Sequence, residues 1–191
     1  PFAIMAKNMD VVKRECKVNE AQQKYMTGPQ RPILLLEKQK NGLVSDLVAP
    51  DNPMLGVMLP YAPVQLLLFE GDMPDCLIMT SANPKGAPIC REDADVIENL
   101  GDLCEAVLSN DRDIRLRADD SVMAWIHGKP SMIRRSRGYA PLPMMISQSK
   151  DHKVLGIGGE LKNTFCLATK DLYYCSPYVG DLSDIRSVDA L

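Results

Sequence analysis

A chain of 191 residues, 46% of them hydrophobic, can bury one good core, and its length favours a single domain or one domain plus a piece. A net charge of −3, with no long block of lysine or arginine, does not imply a broad nucleic-acid-binding or membrane-binding face and leaves room for a local basic pocket. No apolar run reaches the roughly 20 residues of a bilayer span, no signal peptide is evident, and a start at Pro1-Phe2-Ala3-Ile4-Met5 reads as a piece of something longer.

Residues 2–6 make a short apolar strand, and Asn8 ahead of Val11, Val12 and Cys16 predicts an N-capped amphipathic helix. A second helix is expected over 19–26, stopped by Gly28-Pro29. Residues 33–36 form a buried strand entered through Arg31-Pro32. Proline cannot donate to a ladder, so Arg31 stands at a strand entrance, and a cleft-facing and a solvent-facing arginine are equally good readings. A strand is expected over 55–59, then a mostly apolar helix over 63–69 lying flat on a sheet, then a central buried strand over 76–79. An amphipathic helix covers 93–100, and 101–106 lead into a strand-like Val107-Leu108. Residues 122–126 and 131–133 pair around a turn at 127–130, with Trp125 in the core. The polar stretch 147–153 reads as a linker and is the best boundary in the chain. Beyond it, strands at 154–157, 164–168 and 172–175 make a meander, which by itself is of marginal stability.

Three stretches carry chemistry. The apolar run 76–79 delivers Thr80, Ser81 and Asn83 into a Pro/Gly loop, the way an α/β sheet offers hydroxyls and an amide to an anionic ligand. Taken alone, an Asx or ST turn satisfying its own backbone is the commoner explanation of such a loop. Arginines recur from Arg112, Arg115 and Arg117 to Arg134, Arg135 and Arg137, and their planar forks match phosphate and carboxylate. Asp111, Asp113, Asp119 and Asp120 interleave with them, so some arginines pair internally, Arg117 and Arg135 with Asp119 and Asp120 being one such reading. The turn Gly158-Gly159-Glu160-Leu161-Lys162-Asn163-Thr164 can cradle phosphate through backbone N–H groups with Lys162 or Thr164 assisting, although two glycines in a hairpin more often mean only a hairpin. Six cysteines without a C-x-x-C pair read as buried free thiols of a reducing cytoplasm. His127 and His152 lack ligand spacing and are expected at the surface, so no metal site is assigned.

The string Met79-Thr80-Ser81-Ala82-Asn83 with Gly86 and Pro88 resembles the strand-loop of YrdC-like domains. With Pro29-Gln30-Arg31-Pro32-Ile33, Gly56-Val57-Met58-Leu59-Pro60-Tyr61, Asp119-Asp120-Ser121-Val122, Arg134-Arg135-Ser136-Arg137-Gly138-Tyr139 and the Gly158 to Thr164 turn in the same order, nearly the whole chain resembles the HypF carbamoyltransferases of [NiFe] hydrogenase maturation. The resemblance implies an α/β fold: a YrdC-like open twisted mixed sheet with flanking helices over residues 1–147, its N-terminal part missing. The first strands of a second, actin/hexokinase-type α/β domain would follow over 148–191. It implies formation of carbamoyl-adenylate from carbamoyl phosphate and ATP, with Mg2+, and passage of the carbamoyl group to the C-terminal cysteine of a HypE-like partner. On this view Thr80, Ser81, Asn83 and Ser121 hydrogen-bond the ligand, and Arg31, Arg112, Arg117, Arg134, Arg135 and Arg137 contact phosphate. Gly158, Gly159, Lys162, Asn163 and Thr164 form the second domain's phosphate loop. Zinc is implied for the full-length family protein and not for this stretch. Tyr178, Asn110 and Gln65 stand where the family usually has histidine. The rival readings are a threonylcarbamoyl-adenylate synthase of tRNA modification, a YrdC-like module with weak double-stranded RNA binding, and an inert scaffold; the 158–164 turn argues against the first and net acidity against the second.

Overall fold

The computed structural model describes residues 2–183 and 185–188, with the side chains of 148–150 excepted. The chain divides into two compact units, residues 1–80 with 120–138, and residues 81–119 with 139–191.

The first unit holds strands β1 (Ala3–Ala6), β2 (Ile33–Glu37), β3 (Met54–Met58), β4 (Cys76–Met79), β5 (Val122–Ile126) and β6 (Lys129–Arg134). Helices α1 (Met9–Glu15), α2 (Glu20–Thr27) and α3 (Pro63–Leu67) connect them. The helix starts are where the sequence puts them. Asn8 Oδ1 accepts from Val11 N at 3.0 Å, and Asn19 and Gln22 exchange side-chain bonds with each other's backbone N–H at 2.8 and 2.9 Å, a reciprocal capping box. Gln65 reaches back to accept from Tyr61 N and Ala62 N, which seats the start of α3.

The six strands form one mixed sheet in the order β4-β1-β3-β2-β5-β6. β1 and β3 run parallel, as do β2 and β5, and the other neighbours are antiparallel. Position in that order explains burial. In β1 and β3 every residue after the first is buried, whereas β2 alternates, burying Leu34 and Leu36. Val12 of α1 and Met26 of α2 complete a core with Ile4, Met5, Leu55, Val57 and Met58. Met5, Met58 and Phe69 form a further cluster flanked by Ile33, Leu77 and Met79. The hairpin β5–β6 turns at His127 and Gly128, both at positive φ, and half-buried Trp125 meets Tyr25 edge-on at 5.5 Å. His127 and His152 are exposed.

Two expectations fail here. The run 76–79 is an edge strand rather than a buried central one, and Ile78 is 60% exposed. α3 does not lie flat on the sheet: none of its residues is buried, and only Phe69, past its end, enters the core.

In the second unit, α4 (Asp93–Leu100) runs into a 3-10 turn, Gly101–Leu103, and residues 104–119 are irregular. Val107-Leu108 is therefore not a strand. Branched and apolar residues favour strands only where a neighbouring strand receives them. β7 (Met144–Gly156) pairs antiparallel with β8 (Cys166–Cys175), from Met144↔Tyr173 to Gly156↔Cys166. The expected linker 147–153 thus lies within β7, and the expected strands 164–168 and 172–175 become parts of one. The ladder tolerates this polar stretch by shifting register twice, on either side of Lys150↔Lys170, with Lys170 at φ +53. All six cysteines are free; Cys16 is buried, where burial pushes its thiol up to about 12, and Cys104 is exposed, against the expectation of burial. Among the described residues no helix is long and apolar enough to cross a membrane.

Candidate functional site

In the first unit, topology gathers three separated segments at one end of the sheet. β2 and β5 are parallel neighbours, with Ile33 opposite Val122, so Arg31-Pro32 and Asp120-Ser121 run side by side at their starts, and Ile33 N donates to Ser121 O at 2.8 Å. β6 returns antiparallel to β5, and the segment after it bridges Asp120 to Arg137.

Within this cluster the side chains divide into builders and presenters. Ser121 is fully buried; its Oγ accepts from Ser136 N at 2.8 Å and donates to Arg137 O at 2.9 Å. Arg137 Nε donates to Asp120 Oδ1 at 2.7 Å, while its Nη atoms donate to the carbonyls of Gln30 at 3.2 Å and Arg31 at 2.8 Å. The face of its guanidinium lies 3.4 Å from the Tyr61 ring centroid. Arg134 Nε donates to Asp120 O at 2.8 Å, and Arg135 is half-buried nearby in sequence. Arg31, half-buried and at φ +45, has no side-chain partner among the described residues. The sequence marked Arg31, Ser121 and Arg137 alike. It read Asp120 as an internal partner of an arginine, which holds with Arg137 as that arginine, and it gave no role to Gln30, Tyr61 or Gly138, although Gly138 after Arg137 was a visible signal.

Thr80 is not in this cluster. Leu34, Val57, Ile4 and Ile78 share one row across the sheet, and β2 and β4 run the same way, so Thr80 lies two residues past that row and Arg31 three before it. At about 3.3 Å per residue that separates them by roughly 16 Å along the strands, with three strand steps across. Thr80 is exposed.

A cleft of about 390 Å³ in the same unit is lined mostly by apolar groups, among them Ile4, Leu43, Val48 and Ile78. Its charged wall is closed on itself: Arg14 Nε bonds Glu15 at 2.6 Å and its Nη1 bonds Asp75 at 2.9 Å. Glu15 also accepts from Leu43 N and Val44 N, at 2.7 and 3.0 Å.

In the second unit, Ser81 is exposed and Asn83 is turned onto its own loop, its Nδ2 donating to Pro84 O at 3.1 Å and Ala87 O at 2.8 Å. Arg117 Nε donates to Ile89 O at 2.8 Å, tying the arginine segment to this loop. Arg112 and Arg115 are exposed and line a polar recess with Asp113.

The 158–164 turn is built around Asn163, which is 2% exposed. Its Nδ2 donates to Ile157 O at 2.9 Å and Gly159 O at 2.6 Å. Gly158 sits at φ +69, where a Cβ would fall 2.6 Å from Thr164 O. Two backbone N–H groups of the turn already have acceptors: Lys162 N donates to Asp181 Oδ1 at 2.7 Å and Asn163 N to Gly180 O at 2.7 Å. The turn therefore holds a carboxylate of its own chain. Among the described residues no group of three His, Cys, Asp or Glu side chains is placed to hold a metal ion.

A family model for Sua5/YciO/YrdC proteins, described as telomere recombination, matches residues 1–136, and a model for the HypF Kae1-like domain matches residues 149–191. Carbamoyltransferase HypF of Rhizobium leguminosarum is 36% identical over 194 residues, covering 98% of this chain and 25% of its own. A Synechocystis protein of the same name is 34% identical over 183 residues, covering 96% and 24%. Among solved structures, full-length HypF in a phosphate- and nucleotide-bound form superposes with a TM-score of 0.93 at 37% identity, over 100% of this chain and 30% of that one. Sua5 of P. abyssi complexed with L-threonine reaches 0.59 at 18% identity, over 71% and 40%, a likeness of fold. The chain spans about a quarter of the length of the curated relatives it matches.

Proposed function

The chain belongs to the Sua5/YciO/YrdC family and joins that domain to HypF Kae1-like sequence, and on this premise we propose that it is the carbamoyl-adenylate-forming part of a HypF-type carbamoyltransferase. Residues 1–147 act as the YrdC-like domain and 148–191 as the opening of the actin/hexokinase-type domain, a division that the two matched stretches support. The observation that carries the reading is that Arg137 and Ser121 bond the Gln30-Arg31, Asp120-Ser121 and Ser136-Arg137 segments to one another, while the Arg31 guanidinium beside them has no side-chain partner among the described residues.

The chemistry asks for little more than such a surface. Hydrolysis of carbamoyl phosphate by water gives carbamate and inorganic phosphate. In the adenylation that follows, a carbamate oxygen bonds to the α-phosphorus of ATP while the bond to pyrophosphate breaks, so negative charge shifts among phosphoryl oxygens and no protein nucleophile is consumed. Arg31 supplies a cation, with Arg134 and Arg135 adding positive potential. Mg2+ would travel with the ATP phosphates. The carbamoyl group would then pass to the C-terminal cysteine of a HypE-like partner.

Calorimetric titration with ATP and Mg2+, with and without carbamoyl phosphate, tests this on the chain and on Ser81→Ala and Arg31→Ala. Binding is expected, weakened at least tenfold by Arg31→Ala. Loss in Ser81→Ala alone would move the anion site to the loop after β4, and absence of binding would overturn the reading.

A further inference from the structure

Arg31 occupies a conformation its sequence opposes. A non-glycine residue at φ +45 is unfavourable, and a residue before proline is steered toward extended backbone by the proline ring. Such a residue persists only where its surroundings over-determine it, and such sites concentrate where a side chain must be presented in one way. Here the surroundings can be named. Arg137 grips the carbonyls of Gln30 and Arg31 with its two Nη atoms. Gly138, at φ +85, packs so closely that a Cβ would lie 2.7 Å from Gln30 O and 3.0 Å from Gln30 Cα. From the other side, the strand that follows Arg31 is fastened through Ile33 N to Ser121 O, and the Ser121 hydroxyl is bonded to the same 136–137 backbone.

Arg137 is itself a poor anion ligand. Asp120 neutralises its charge at 2.7 Å, three of its N–H donors are in use, and the Tyr61 ring covers one face. Resting on the adenylation reading above, the structure assigns Arg137 as a positioning residue: it holds the Gln30-Arg31 turn in its left-handed form so that the Arg31 guanidinium is the cation offered to a phosphoryl group.

The test is a double-mutant cycle on the full chain, with carbamoyl phosphate and inorganic phosphate titrated separately and thermal stability followed in parallel. Arg31→Ala should weaken binding at least tenfold with an unchanged Tm. Arg137→Lys keeps the charge but loses the fork, and should weaken binding by a similar factor. Arg31→Ala/Arg137→Lys should bind no more than twofold worse than either single variant, because both act through one guanidinium. A purely structural role would move Tm without this non-additivity. Gly138→Ala, which leaves every charge in place and displaces Gln30, guards against an unfolded Arg137 variant and should lose affinity likewise. Multiplying losses, or wild-type affinity in Arg137→Lys or Gly138→Ala, would overturn the assignment. Binding that survives Arg31→Ala would overturn it while leaving the adenylation reading standing, and no binding by the wild-type chain would overturn both.

Discussion

Glu15 shows how one buried charge organises its neighbours. Its carboxylate is 2% exposed. Burial alone would push its pKa up, but the N–H of Val44, the Arg14 guanidinium and the N–H of Leu43 outweigh burial and hold it below the usual carboxylate value. A depressed acid stabilises the fold above its unfolded pKa, and that contribution fades as pH falls through the folded value. Glu15→Gln leaves Arg14 and two loop N–H groups with a neutral, single acceptor. It should cost about 1–3 kcal/mol at pH 7, measured as a shift in the urea midpoint, and the gap to wild type should narrow steadily below pH 4.5. A gap of the same size at pH 3 and pH 7 would contradict the account. Gly42 belongs to the same device: a Cβ there would stand 2.8 Å from Glu15 Oε2.

At the scale of elements, burial follows strand order more than strand composition. β2 lies inside the sheet with Leu34 and Leu36 fully buried, whereas β4, just as apolar in sequence, is an edge. Leu34→Ala should therefore cost about 2–5 kcal/mol, while Leu67→Ser on exposed α3 should stay within about 0.5 kcal/mol, both read from chemical denaturation; comparable losses would contradict the burial assigned to α3. The same distinction marks what the residues could tell beforehand. Asn8 announced the start of α1 because a cap is a local hydrogen bond between residues three apart, and the same kind of bond makes Asn19, read as the first residue of α2, its cap. The apolar run 76–79 announced a strand but not an edge, since which strand lies outermost depends on pairings with residues 3–6. The polar stretch 147–153 resembled a linker because its strand character comes only from β8. At the candidate site, Ser121, Arg31 and Arg137 were legible as a group and illegible as individuals. An arginine that binds phosphate and one that binds two carbonyls and an aspartate are the same residue type, and only the antiparallel return of β6 decides which is which.

For the whole molecule, the distribution of core predicts unequal stability. Among the described residues, the first unit contains nearly all the buried apolar side chains, from Ile4 to Met123, whereas the second contributes Ala87 and Ala168. Its two-stranded sheet β7–β8 leaves Leu155 and Ile157 beside it more than half exposed, and an isolated pair of strands is marginal in water. Opening free energies across one chain range from near zero to the global value according to how much apolar contact each region makes. Native-state hydrogen exchange should accordingly find the slowest amides in β1, β2 and β3, and fast exchange over residues 104–119 and along β7–β8. Calorimetry should show two transitions in place of one, because the two units differ this much in buried apolar core. A ligand seated at Arg31 stabilises the unit that binds it, by about 2.7 kcal/mol at a hundredfold excess over Kd. On the proposed adenylation reading, carbamoyl phosphate with ATP should then raise the upper transition and slow exchange first around residues 30–33 and 121–123. A single cooperative transition, or protection appearing first in β7–β8, would mean that the second unit carries the ligand or a core that its buried residues do not account for.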